Sequence, residues 1–345
     1  MTDKPVVRIK DIAEKSNVSP ATVSLVLNNK GGVGEETRNR IIEIAQELGY
    51  KGPAVRNKEP GNAGTICFLH ITRHGHILNR DHDVFISDYI QGLSMEAHNS
   101  NYALHTVTFK SAMISEIILY ISKTDADGFI ILGTEMSRED ISTFSSVSKP
   151  LVFLDAYYPY LDFNFADMNN TDIIFSAVSH FRSKGHKQIG MINGLPLTPN
   201  FQLRESAFRT IIKEQGLLHK EDWIVHIDSI FDEAYRDMLQ YLRNNKDLPS
   251  AFICGNDILA AASLKALQEF GLNVPRDISL TGIDNLPLTE RTTPPLTSFD
   301  VSKRELGSTT VQMLIKQIRN KDKTSNFKLL ISGKLIERDS VSKKY

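Results

Sequence analysis

Cysteine is nearly absent, with only Cys67 and Cys254 in 345 residues, so a disulfide scaffold is excluded. Each lies in an apolar run, Thr65-Ile66-Cys67-Phe68-Leu69 and Ala251-Phe252-Ile253-Cys254, which predicts two buried free thiols. No uninterrupted apolar segment approaches the length of a membrane span. The opening Met-Thr-Asp-Lys-Pro carries no apolar signal core, so a cytoplasmic location is expected. Also missing are Gly-x-Gly-x-x-Gly after a strand, a phosphate-binding loop, a nucleophile elbow and any metal-ligand spacing. Neither an enzyme nor a bound metal or cofactor is expected. The formal net charge of −1 excludes a protein that is basic throughout.

What is present is the composition of a globular protein, 41% apolar and 23% charged, with length for two or three domains. Residues 1–60 hold ten Lys/Arg and eight Asp/Glu, a surplus of +2 that leaves −3 on the remainder. Within them, Ile9, Ile12 and Ala13 share one helical stripe, and Asn17-Val18 makes a turn. Ser19 then suits an N-cap and Pro20 the first helical position. Val18, Val23 and Leu27 should face inward, leaving Pro20, Ala21, Thr22, Ser24, Leu25 and Asn28 outside, short enough to lie deep in a groove. After Gly31-Gly32-Val33-Gly34, the stretch Glu35 to Tyr50 places Ile41, Ile42, Ala45 and Leu48 at helical spacing. Three small helices of this kind form a helix-turn-helix unit suited to reading DNA.

From residue 63 apolar runs alternate with helical segments. Strands are predicted at 66–69, 102–109, 128–132, 150–154, 188–192, 251–254 and 278–283. Helices are predicted at 84–100, 172–184, 202–215, 233–244, 257–270 and within 301–320. Such alternation implies parallel sheets covered on both faces, and about 280 residues make two lobes. Thr72 to Asp83 is a long polar loop with His74, His76 and His82. Three histidines without a cysteine or a carboxylate frame read as solvent-facing or ligand-contacting rather than metal-binding. Tyr157, Tyr158 and Tyr160 stack on a ring or pack, and Trp223 packs.

The segments Ile9-Lys10-Asp11-Ile12-Ala13, Val18-Ser19-Pro20-Ala21-Thr22-Val23-Ser24, Val26-Leu27-Asn28, Glu35-Glu36-Thr37-Arg38 and Leu48-Gly49-Tyr50, in this order and spacing, resemble the headpiece of the lactose/galactose repressor (LacI/GalR) family. The resemblance continues through Lys184-Gly185-His186, Arg204-Glu205-Ser206-Ala207-Phe208-Arg209, Gly255-Asn256-Asp257, Val274-Pro275-Arg276-Asp277-Ile278-Ser279, Gly282-Ile283-Asp284-Asn285 and Pro294-Pro295-Leu296-Thr297-Ser298. It implies a small all-α helix-turn-helix headpiece on an α/β, two-lobed, periplasmic-binding-protein-like core with parallel sheets. The expected division is headpiece 1–50, hinge 51–62 and effector-binding and dimerisation core 63–345. Within the core the first lobe would hold about 63–162 plus 293–322 and the second about 163–292 plus 323–340.

The implied function is a sequence-specific regulator, a repressor, whose affinity for double-stranded operator DNA is set by a small molecule, a carbohydrate or derivative, held between the lobes of a homodimer. On that reading Pro20, Ala21 and Leu25 face bases, with apolar readout because neither Ala21 nor Leu25 can donate to guanine. Arg8, Ser24, Asn28, Thr37, Arg38 and Tyr50 would meet the backbone, and Ser19, Thr22 and, from the hinge, Val55 would also contact the DNA. The family's minor-groove leucine is replaced here by Glu59 or Pro60, so the usual wedge is not expected. Effector contacts fall to Phe85, Asn169, Asn200, Arg204, Asn256 and Asp284. Arg204 would grip hydroxyls or a carboxylate, and Asn256 and Asp284 sit at strand ends where open α/β sheets bind ligands. Local capping is the plain alternative for Asn256 and Asp284. Three other readings are a solute-binding protein without a DNA role, the same fold controlled by a protein partner, and an enzyme on a doubly wound sheet. The chain ends after Arg338 without a leucine heptad, so no tetramerising helix is expected.

Overall fold

The computed structural model describes residues 7–27, 32–48, 50, 63–217, 220–320 and 325–344. The chain divides into two compact units, Met1–Asn62 and Ala63–Tyr345. Among the described residues no helix is long and apolar enough to cross a membrane.

Among the described residues the first unit holds three helices, α1 (Ile9–Ser16), α2 (Pro20–Leu27) and α3 (Glu35–Glu47). Asn17 ends α1 in the left-handed conformation, and its N–H returns to the helix carbonyls. One small core holds Ile12, Ala13, Val23, Val26, Leu27, Ile41 and Ala45. Val23 and Leu27 are thus inward as expected. Val26 joins them, and Val18 is only half-buried against the cluster. The hinge 51–62, with Val55, Glu59 and Pro60, lies outside the described residues.

The second unit carries two parallel sheets. The first lobe is built on β1 (Gly64–Thr72), α4 (Asp83–Asn99), β2 (Tyr102–Lys110), α5 (Ile114–Lys123), β3 (Gly128–Leu132), α6 (Arg138–Ser142), β4 (Leu151–Leu154) and β5 (Asn164–Met168). The second continues with α7 (Asn170–Ser183), β6 (Ile189–Leu195), α8 (Pro199–Glu214), β7 (Ile224–Asp228), α9 (Phe231–Asn244), β8 (Ala251–Cys254), α10 (Asp257–Glu269) and β9 (Ser279–Thr281). The chain returns through β10 (Ser298–Asp300), α11 (Lys303–Arg319), β11 (Lys328–Ile331) and β12 (Lys334–Ile336). Strand order is β11-β5-β4-β3-β1-β2 in the six-stranded sheet and β7-β6-β8-β9 in the four-stranded one, while β10 and β12 form an antiparallel pair. Both cysteines are buried free thiols.

Two lobe boundaries differ from those expected. The first sheet extends beyond residue 162, because β5 pairs in parallel with β4 and the chain leaves for the second lobe only after Met168. Asn164 and Asp167 interrupt the apolar pattern there, yet both are buried, with Asn164 Oδ1 accepting from the Phe327 N–H at 2.7 Å. Likewise β11 belongs to the first sheet, pairing with β5, so the segment from 323 reaches the second lobe only later. There Ser340 exchanges hydrogen bonds with Leu280 beside β9. Helix α11 packs along α4 at a crossing that needs glycine on both sides. A Cβ at Gly92 would strike the Arg304 carbonyl, and one at Gly307 would approach the Tyr89 oxygen to 2.6 Å.

Candidate functional sites

On the first unit, Ser19 caps α2 as its sequence position predicts. Its Oγ accepts from the Thr22 N–H at 3.1 Å and lies 2.8 Å from the Thr22 hydroxyl. Pro20, Ala21 and Leu25 are exposed, an outward face of small and apolar side chains, while Thr22 and Ser24 are half-buried. Arg8 is exposed just before α1, its N–H bonded to Asp11 at 2.7 Å. Thr37, Arg38 and Tyr50 are half-buried on or beyond α3. Asn28 lies outside the described residues.

In the second unit a narrow cavity opens between the lobes. Five expected residues line it, Phe85, Asn200, Arg204, Asn256 and Asp284. Asn200 and Arg204 stand one turn apart on α8, four residues and so one face. Asn200 donates to Asp155 Oδ1 at 3.1 Å and accepts from Asn170 at 2.9 Å. Arg204 Nε donates to Asn170 Oδ1 at 2.7 Å, Nη2 lies 2.8 Å from the Met168 sulfur, and Nη1 reaches the Gly255 carbonyl. All these acceptors are neutral. Among the described residues no carboxylate lies within ion-pair distance of this guanidinium, which is only 3% exposed. A buried cation so placed carries an unspent capacity to bind an oxygen-rich ligand.

Asp284 sits in strained backbone at φ +109°, held by its own N–H on the Phe299 carbonyl at 2.9 Å and by Lys303 on its carbonyl oxygen. Its Oδ1 is buried and meets no donor. Burial pushes its carboxyl above the usual range, against the pull of Arg204 and Lys303. Asp155, at φ +62°, accepts from Tyr89 at 2.9 Å, from Asn200 and from Thr134. Burial raises Asp155, and burial together with the Asp155 charge raises Asp167.

Asn169 is not part of this site. It caps α7, accepting from the Asp172 N–H at 3.2 Å and donating to its carboxylate at 2.7 Å, and is half-buried. The neighbouring Asn170 points inward and takes the place in the network that was expected of Asn169. One residue of helix turns the side chain by about 100°. Asn256 both caps and lines: its Oδ1 accepts from the Leu259 N–H at 2.9 Å and its Nδ2 lies 3.0 Å from His82 Nε2. Tyr158 donates to the Met136 carbonyl at 2.9 Å, Tyr157 packs edge-on to Phe165, and Tyr160 is exposed. Trp223 is fully buried, its indole N–H on the Asp247 carbonyl at 3.0 Å. His82, Thr134, Asp155 and Met168 were not singled out as lining residues, although the histidine-bearing loop was the signal for the first.

A helix-turn-helix unit joined to a two-lobed α/β core with a polar interlobe cavity defines a ligand-responsive DNA-binding regulator. Residues 8–52 match the family described as bacterial regulatory proteins, lacI family, and residues 178–341 the periplasmic binding protein-like domain. The repressor PurR of Klebsiella pneumoniae is 30% identical over 343 residues, covering 97% of this chain and 96% of that protein. The repressor CytR of Escherichia coli K12 is 29% identical over 325 residues, 93% of each. Among solved structures, a CelR–cellobiose complex superposes with a TM-score of 0.72 at 20% identity, over 98% of this chain and 100% of that one. A lac repressor dimer bound to operator and the anti-inducer ONPF gives 0.72 at 21%, with the same coverage. The chain belongs to the LacI family of DNA-binding transcriptional repressors, which are effector-regulated proteins and not enzymes.

Proposed function

We propose that this protein is a cytoplasmic, homodimeric repressor that grips double-stranded operator DNA with residues 1–50, transmits through 51–62, and senses a carbohydrate or related polyhydroxylated molecule in the core 63–345. The observation that carries the effector half is the buried Arg204, bonded only to neutral acceptors, lining one cavity with the unpartnered Asp284 Oδ1. Cellobiose in the CelR complex supports a sugar-like ligand. For DNA, support comes from the exposed Pro20, Ala21 and Leu25, which favour contacts such as thymine methyls over hydrogen bonds. Arg8, Ser24, Thr37, Arg38 and Tyr50 then set position on the backbone.

Thermal-shift screening of the full chain against sugars, sugar phosphates, nucleosides and purines tests the first half. A ligand at a hundred times its Kd should stabilise by about 2.7 kcal/mol. A compound that shifts Arg204→Ala and Asp284→Ala as far as the wild type would overturn the assignment. Selection from a random DNA pool tests the second half. A required guanine opposite Leu25, lost in Leu25→Ala, would sink apolar readout. Coupling must be reciprocal, so an effector that releases operator must itself bind the DNA complex more weakly.

A further inference from the structure

Between β1 and α4 the chain runs as a strap that leaves its own lobe. Its foot is held by Glu135, whose buried carboxylate accepts five backbone N–H groups. Oε2 takes Arg73, His74 and Gly75 at 2.8–3.0 Å, and Oε1 takes Ile77 and Leu78 at 3.0 and 2.9 Å. The crest inserts Ile77 into the second lobe's apolar cluster with Ile192, Phe201 and Val225. His76 Nδ1 reaches Asp228 at the end of β7, 3.2 Å away. The far end delivers His82 to the cavity wall, 3% exposed.

The neighbours of His82 determine where its proton sits. Asn256 Oδ1 already accepts from the Leu259 N–H, so the amide nitrogen is the atom that faces the ring, and Nε2 must accept. Burial keeps the imidazole neutral, lowering its pKa to about 4 against the pull of Asp81 and Glu135. A neutral ring that accepts at Nε2 carries its hydrogen on Nδ1. That donor is buried without a partner, as is the Asp284 Oδ1 acceptor, and both residues line the one cavity. Two orphaned groups of opposite sense, from two lobes, match a molecule with an acceptor and a donor of its own.

We propose that His82 is a ligand-selecting residue: its Nδ1–H donates to an acceptor on a neutral polar effector, while Asp284 Oδ1 takes a hydroxyl or N–H from the same molecule. This rests on the cleft being the effector site. Neutrality follows from the charged groups lining the cavity. Arg204 is the one Lys or Arg among its described lining residues and shares the wall with the carboxyl groups of Asp155 and Asp284, which would crowd a phosphate but can share hydroxyls with the guanidinium. Phe85 and Phe201 offer apolar surface to the effector.

The test titrates the full-length protein calorimetrically with D-ribose, D-glucose, cytidine and adenosine, and with ribose 5-phosphate, glucose 6-phosphate, CMP and AMP. Wild type, His82→Phe, His82→Asn and Arg204→Lys are compared. Long-range ¹H–¹⁵N spectra of ¹⁵N-histidine protein read the His82 tautomer. A neutral compound should bind the wild type, and its phosphate about tenfold more weakly or worse. His82→Phe should lose about tenfold, the worth of one buried hydrogen bond, and His82→Asn, with an N–H near the Nδ1 position, should recover most of it. The proton should appear on Nδ1. If His82→Phe binds within about twofold of wild type while Arg204→Lys loses binding, the cleft stands and the role of His82 falls. A proton on Nε2, or a phosphate that binds more tightly than its parent, also overturns the proposal. If no compound binds the wild type, the cleft assignment falls and this proposal with it.

Discussion

Buried groups here hold protonation states that a solvent-exposed copy would not. Burial raises the thiol of Cys67, and Cys254 is fully enclosed and raised further. Neither should react with a thiol reagent at pH 8 until denaturant is added; stoichiometric labelling of the folded protein would contradict this packing. His82 carries a pH signature. Its ordinary value of 6.5 falls to about 4 when folded, so between these the unfolded chain binds more protons. Its contribution is complete above pH 6.5 and drains as pH falls toward 4, by about 2 kcal/mol at pH 5. Urea unfolding at pH 7.5 and 5 should therefore show the wild type losing more stability than His82→Phe. Equal losses would place the imidazole in water. Arg204 and Asp284 were legible as single residues, because the residues around them carry the family pattern. Asn170 was not, since a one-residue choice between adjacent asparagines turns on which of them caps the helix.

Among the elements, the strap depends on one side chain far away in sequence. Replacing Glu135 by Gln leaves one acceptor oxygen for amides that now use two. At least two buried N–H groups lose their partner, a cost of about 3 kcal/mol or more. Hydrogen exchange should quicken at residues 73–78 with α4 still protected, and unchanged protection would show that the cradle is dispensable. Burial raises the Glu135 carboxyl, but the amides of Leu78, Gly75 and His74 overcome this and hold it below the ordinary value. Its contribution to folding is thus present at neutral pH and lost in acid. Strands β3 and β8 were legible as continuous apolar runs, fully buried on both faces. Strand β5 was not, because Asn164 and Asp167 break the run and only the partners of the folded state make their burial tolerable. Helix α5, with Ile114, Ile117, Ile118 and Ile121, hides its period inside a β-branched stretch that reads equally as a strand. The cradle itself left no trace in the sequence, since it is backbone that Glu135 recognises.

Over the whole molecule, the headpiece has an apolar cluster of its own, separate from those of the core. Ile41 is fully buried in the headpiece cluster. Ile41→Ala should cost about 2–5 kcal/mol, enough to unfold so small a unit. Operator binding in a mobility-shift assay should vanish while effector titration of the core is unchanged; loss of both would mean that the two units do not fold separately. The order of these units was legible, but the interleaving of the lobes was not, because strands such as β11 return to a sheet begun more than 250 residues earlier. The contact of Ile77 with the second lobe has a thermal consequence. Opening the cleft wets that side chain, so opening raises the heat capacity, and the grip of the strap relaxes as temperature falls. Effector entry should then slow less on cooling than simple activation dictates, and Ile77→Ser should erase the difference, giving the regulator a response to cold that lies in one side chain outside its binding groups.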